Sequence, residues 1–307
     1  MVPQTLGQLA ALGTAFCWAI TSTSFEAAGR RVGSLQVNLT RMVVAFVIFS
    51  VYSLAITGGL LPLHADRHVW IWLSLSGLVG FVFGDLFLFQ AFVDVGARRA
   101  MLVYSSVPPI TALLGWLILG ETLTGTQVSG MTITVAGIIT VVAARPVSPS
   151  PRPSAVPRSR PDGHYLRGIW FAVLGSLGQA LGLVLSRYGA PTFDAFAATQ
   201  IRILSGLLGF IVVFTVTRRW QRIAVTFRDG AAMRLITRGA FFGPFLGVSL
   251  GLFAAQRAGT GIAATLIATV PVILMVTAIT VHRERVGLQE TFGILMAVAG
   301  VAMLFLW

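Results

Sequence analysis

The chain is 307 residues long, 56% apolar and only 10% charged, with 21 phenylalanines and a mean hydropathy of +0.85. Soluble domains average about 25% charged residues, so this composition excludes a polar-surfaced globular protein and points to an all-α integral membrane protein. The net charge of +12 comes entirely from arginine; these residues sit mostly in short connections between apolar stretches, where they set topology and meet anionic headgroups, which argues against nucleic acid as a partner.

Ten apolar stretches fall at 6–28, 37–59, 69–92, 101–120, 126–144, 166–187, 195–217, 235–255, 261–281 and 287–306. Each is long enough to cross a hydrocarbon core of about 30 Å as a helix. Span 1 has no Arg or Lys before it, and Arg30 and Arg31 follow it. That is the reverse of a secretory signal peptide, so a retained span is expected. It carries Trp18, Thr21 and the only cysteine, Cys17, so a disulfide or CxxC site is excluded. Glu26 ends the span as a candidate for binding an ammonium group or a proton, or as a partner for Arg41 at the start of span 2.

Asp85 lies inside span 3 in the run GFVFGDLFLFQ, about 6 Å from the midpoint at 1.5 Å per residue. A carboxylate at that depth costs a few kcal/mol, so it is expected to line a pathway; the structural alternative is a pair with a buried hydroxyl or arginine. Span 4 holds Tyr104, then Pro108 and Pro109, which remove backbone donors. Irregular backbone at membrane depth is tolerated where it is buried in protein or lines a cavity. Residues 145–164 contain six prolines and four arginines and read as an extended linker.

Beyond the linker, Gln179 in span 6, Ser249 and Gln256 in span 8, and Thr265 and Thr269 in span 9 are polar groups at membrane depth, and Pro244 and Pro271 are further backbone irregularities. Glycines four apart, as at Gly80 and Gly84, Gly178 and Gly182, and Gly243, Gly247 and Gly251, predict close helix packing.

Val107–Ile138 and Val270–Val301 align without a gap, pairing Pro108 with Pro271, Glu121 with Glu284, Gly130 with Gly293 and Gly137 with Gly300. Glu121 and Glu284, repeat-related and just past their spans, read as braces for a helix hairpin. Arg41 likewise answers Arg202. The chain therefore divides into a first five-helix repeat at 1–144, the linker at 145–164 and a second repeat at 165–307. An odd number of spans per copy makes the repeats inverted. The arginines agree with that inversion: one stands after span 2 (Arg67) against six after span 7, and 18 of the 22 collect on one face. By the positive-inside rule that face is cytoplasmic, which places both termini outside, in the periplasm.

Several chemistries are absent. There is no GxxxxGK[ST] loop and no lysine, so no nucleotide motor and no cofactor is expected. The four histidines, at 64, 68, 164 and 282, fall in connections and form no HExxH or other metal set. No catalytic cluster is visible, so the chain does not read as an enzyme.

The VPP...LLGWLILGE...G......G block, present twice in a ten-span chain, resembles the drug/metabolite transporter superfamily and specifically its EamA-type permeases. The second copy departs from the pattern, reading His282-Arg283-Glu284 where the family often has Gly-Glu. The resemblance implies a ten-helix basket with a central cavity lined by helices 1, 3, 4, 6, 8 and 9. It also implies export of amino acids or similar small metabolites across a bacterial inner membrane, by facilitated or proton-linked alternating access. Family members are commonly drawn with cytoplasmic termini, against the arginine count here. The expected substrate and coupling set is Asp85, Glu26, Trp18, Thr21, Tyr104, Pro108, Gln179, Ser249 and Thr265, in a chain that works as a monomer. Import or facilitation of sugars, and a non-transporting scaffold or sensor, are the other readings of the same sequence.

Overall fold

The computed structural model describes residues 2–63, 65–119, 124–143, 162–190, 193–258, 266–280 and 286–306. Every regular element among them is helical. Helix α1 (Val2–Val32) is separated from α2 (Ser34–Thr57) by Gly33 alone, whose φ of +97° only glycine adopts easily. Asp66 caps α3 (Arg67–Gly77) by accepting from the Val69 amide at 2.8 Å. That helix runs through a π segment, π1 (Leu78–Gly84), into α4 (Asp85–Val95). After Gly96 come α5 (Ala97–Tyr104), a turn at 105–106, α6 (Val107–Leu119) and α7 (Gly125–Ala143).

The second half holds α8 (Asp162–Gly189), α9 (Ala195–Val216), α10 (Trp220–Arg228) and α11 (Gly230–Ala240). It continues through π2 (Phe241–Gly247) into α12 (Val248–Ala258), then the helices Val270–Thr280 and Leu288–Leu306.

Among the described residues, six helical stretches are long and apolar enough to cross a membrane: Ser34–Thr57, Arg67–Val95, Ala97–Ile118, Gly125–Ala143, His164–Ser186 and Phe196–Val216. Helix α1 has the length but is diluted by Thr14, Thr21, Ser22, Thr23 and Ser24. Val270–Thr280 is a shorter apolar helix that follows a turn at 268–269. Two boundaries differ from the sequence reading. Residues 162–164, assigned to the linker, already belong to α8, and most of the linker lies outside the described residues. The arginine-rich connection after α9 is not all loop: it contains α10, and Arg234 and Arg238 sit inside α11. Glu121, Glu284 and Thr265 lie outside the described residues.

The backbone irregularities recur with the sequence repeat. The segments π1 and π2 lie 163 positions apart, and so do the turns at 105–106 and 268–269. Pro244 sits inside π2, where a widened turn accommodates its missing N–H. Pro108, Pro109 and Pro271 fall in the first turn of the helix that follows each break, a position where a missing donor costs little. The carbonyls they leave without an i+4 donor belong to Tyr104, Ser105 and Ile267.

Packing between the two halves runs along glycines. A Cβ on Gly178 of α8 would lie 2.7 Å from Gly84 Cα, and one on Gly182 would lie 3.0 Å from Gly80 Cα. The equivalent contacts in the other half place Gly243 against Thr21 and Gly247 against Trp18 of α1. Helix α7 meets Leu288–Leu306 the same way: a Cβ on Gly137 would fall 2.7 Å from Gly293 O, and one on Gly300 2.7 Å from Gly130 O. These contacts bring backbones together, which is how helices associate where lipid supplies no hydrophobic drive. Outward faces carry Phe16, Val51, Leu117, Ile139, Trp170 and Val212, all exposed, as a lipid-facing surface requires.

At one end of the bundle, ion pairs join helix termini that are distant in sequence. Arg31 meets Asp229 at 3.0 Å, Arg167 meets Asp94 at 2.9 Å and Arg98 meets Glu290 at 3.1 Å. The Ala232 amide, then Arg31 and the Ala231 amide, hold the Asp229 carboxyl below the usual aspartate range. The stabilisation from this clamp is therefore present above the ordinary aspartate pKa and is lost as pH falls through the lowered one.

Substituting Gly178→Ala forces backbone apart and is expected to lower stability by about 1–3 kcal/mol. Gly125→Ala, whose Cβ would meet nothing within 4 Å, is the matched control and is expected to stay within about 0.5 kcal/mol. Thermal unfolding of the two variants in one detergent compares them directly; equal midpoints would show that the glycine seam is not tight.

Candidate functional site

The site is built outward from the end of π1. The Asp85 N–H reaches back to Gly80 O, an i to i−5 bond, so the π turn sets the register at which the Asp85 side chain leaves its helix. The same carbonyl accepts from Gln179 Nε2 at 3.0 Å, and Gln179 Nε2 also donates to Asp85 Oδ1 at 2.7 Å. Asp85 Oδ2 is taken by Arg41 Nη2 in an ion pair. Asn38 Nδ2 donates to the Asp85 backbone oxygen at 3.1 Å and accepts, through Oδ1, from Arg41 Nε at 3.1 Å. Both charges are sealed: Arg41 is 6% exposed and Asp85 4%. The Arg41 guanidinium stacks 4.5 Å over the Phe89 ring and lies 5.7 Å from the centroid of Phe25.

Asp85 is thus paired with a buried arginine and with the Gln179 amide. The expected Glu26–Arg41 pair does not form. Glu26 instead bonds Arg30 one turn on, at 2.9 Å, and accepts from the Ala97 amide at 2.8 Å, capping α5. The physical reason is reach and competition: Arg30 shares the helix face of Glu26, while Asp85 waits beside Arg41 in the core.

A second arginine enters from α9. The Arg202 guanidinium lies 4.8 Å from the centroid of Phe81, whose ring is also 6.0 Å from that of Arg41. A Cβ on Gly80 would be 3.3 Å from Arg202 Nη2. Arg202 interacts electrostatically with Asp85 and Tyr104, yet among the described residues it has no ion-pair partner, and its buried Nε has no hydrogen-bond acceptor. Tyr104, at the end of α5, sits edge-on to Trp18 with ring centroids 6.4 Å apart.

Of the nine expected site residues, the structure brings Asp85, Gln179, Tyr104 and Trp18 into one region. Thr21 packs against Gly243, with its hydroxyl given to Gly239 O at 3.2 Å. Pro108 is half-buried just beyond the break that follows Tyr104. Glu26 stands apart at the ion-paired end. Ser249 lies on α12 and Thr265 outside the described residues.

The sequence reading assigned no site role to Arg41, Arg202 or Asn38. A cavity lined by helices 1, 3, 4, 6, 8 and 9 leaves out the second and seventh spans, from which both arginines enter. The available signal was an arginine inside an apolar span, twice, at repeat-related positions.

The EamA-like transporter family matches residues 5–143 and 166–306, which is nearly the whole chain. This chain belongs to the EamA-like transporter family. As a member it is a multi-pass membrane protein of a family of transporters rather than enzymes, and its two matched segments are the two sequence repeats. An uncharacterized membrane protein of Saccharomyces cerevisiae is 24% identical over 198 residues, 61% of this chain. The aligned part is 46% of that relative, so the chain matches about half its length. A crystal structure of a protein 16% identical in sequence superposes with a TM-score of 0.63, covering 99% of this chain and 97% of the other. At that identity the likeness shows the fold alone.

If Arg41 and Asp85 form one buried unit, removing either charge alone strands the other. Arg41→Gln or Asp85→Asn alone is expected to cost about 3–5 kcal/mol, and the double variant less than the sum. A double-mutant cycle on thermal unfolding measures this; additive costs would mean the pair is not coupled.

Proposed function

We propose that this EamA-like protein is a secondary transporter of small metabolites across a bacterial inner membrane, and that it exports amino acids by alternating access. The observation that carries the reading is the buried Arg41–Asp85–Gln179 cluster, which joins both halves of the molecule beside a π turn and a helix break. Transporters place substrate and coupling groups at repeat interfaces near the midplane, on interrupted helices. A charged cluster in lipid has no structural need that well-packed apolar residues would not meet as well.

The inverted arrangement of the two repeats gives alternating access its geometry, since rocking one half against the other exposes the same site to each side in turn. Asp85 is the coupling group in this reading. A proton delivered to it removes the counter-charge of Arg41 and weakens the charge-assisted bond from Gln179, so the cluster has two arrangements that proton and substrate bias differently. Trp18 and Tyr104 contact the apolar part of the substrate. One chain contains both halves of the pathway, so the working unit is a monomer with substrate, protons and bilayer lipid as its partners. The arginine bias supports an orientation with both termini in the periplasm.

In proteoliposomes, wild type is expected to move radiolabelled amino acids and Asp85→Asn to reduce that flux to the protein-free level while remaining monodisperse in detergent. A luminal pH dye recorded in the same vesicles reads the coupling. Unchanged flux in Asp85→Asn contradicts the assignment of Asp85, and the absence of flux for every amino acid in wild type contradicts the substrate class.

A further inference from the structure

The charges in the site do not balance. Arg41 and Arg202 are two guanidiniums, Asp85 is the one carboxylate beside them among the described residues, and Arg41 and Gln179 occupy both of its oxygens. Arg202 is the repeat mate of Arg41, 161 positions later, but the residue 163 positions after Asp85 is Val248. The second copy keeps the arginine and lacks the acid. Gln179 has the same relation to Trp18: each packs on the glycine that ends a π segment, Gly84 and Gly247 respectively. The scaffold is duplicated, whereas the chemistry is one-sided.

We propose that Arg202 binds the carboxylate of the transported molecule. The inference rests on the transporter reading above and deepens it by naming the charge the substrate must carry. Arg202 is half-buried with its Nε sealed and unpartnered, and among the described residues it has no ion-pair partner of its own; a planar carboxylate meets the paired N–H donors of a guanidinium with matching geometry. The Phe81 ring covers one face of the Arg202 group, so the edge donors, including the unpartnered Nε, are what remains for a ligand. The single guanidinium fork of Arg202 matches one planar carboxylate group, which is the polar contact the substrate must offer. Beside it, the edge-on Trp18 and Tyr104 rings offer an apolar wall for the rest of the molecule.

The test is thermal stabilisation of the detergent-purified full chain by each of the twenty amino acids and by the matched amino-acid amides, which keep the side chain and ammonium but lose the negative charge. At least one amino acid is expected to raise the unfolding midpoint, with its amide needing about tenfold or more concentration for the same shift. Arg202→Gln is expected to show the same loss for the acid, and Arg202→Lys, which keeps a point charge, a part of it. Acid and amide acting equally on wild type would overturn the inference and leave the transporter reading standing, as would an undiminished acid response in Arg202→Gln. No response of wild type to any acid or amide would overturn the amino acid reading together with the inference. If Arg202→Gln does not fold, the acid and amide comparison in wild type decides alone.

Discussion

The structure turns on one buried contact, the ion pair between Arg41 and Asp85. An arginine or an aspartate alone at the centre of a spanning helix costs about 2.5–3.5 kcal/mol on insertion scales, and this chain places both in its core. Their mutual neutralisation is completed by Asn38 and Gln179, so that the pair leaves few open hydrogen-bonding positions. Because Arg41 comes from α2, Asp85 from α4 and Gln179 from α8, the bond from Gln179 to Asp85 ties the two halves of the molecule together at this cluster. Rearranging this cluster cannot be a local event.

What holds the surrounding helices close enough for that contact is the absence of side chains. Gly80 and Gly84 meet Gly182 and Gly178 nearly backbone to backbone, and the π turn between the first two fixes where Asp85 emerges. The second half repeats the π turn with Pro244 and substitutes Thr21 and Trp18 for the facing glycine and glutamine. Duplication has conserved the packing and backbone geometry and let the polar side chains diverge. Arg202 is the cation of the second copy, where the position equivalent to Asp85 holds Val248.

The sequence was most informative where a physical rule has few exceptions. Apolar length, the repeat from Val107 to Val301 and the glycine spacing are constraints that lipid imposes directly, and they led to the helices, the family and the close packing. Asp85, Gln179, Tyr104 and Trp18 were legible for the same reason, as polar or aromatic groups at depth. Pairing was not legible. Glu26 and Arg41 are close in sequence and of opposite sign, but Arg30 on the same helix face and the Ala97 amide claim Glu26, while the π turn swings Asp85 toward Arg41. A π turn has no composition signature in LVGFVFG, so nothing in the sequence announced that register shift. The amphipathic helix α10 was hidden similarly, its nine residues being too short and too arginine-rich to read as anything but a connection.

The most direct measurement is the infrared spectrum of wild type against Asp85→Asn in lipid. If Asp85 stands as an ionised carboxylate beside Arg41, the difference spectrum loses a carboxylate band and no protonated carboxyl band. Loss of a protonated carboxyl band instead would mean that Asp85 is neutral in the resting state, that Arg41 is not its ionic partner, and that the charge balance on which the role of Arg202 rests is wrong.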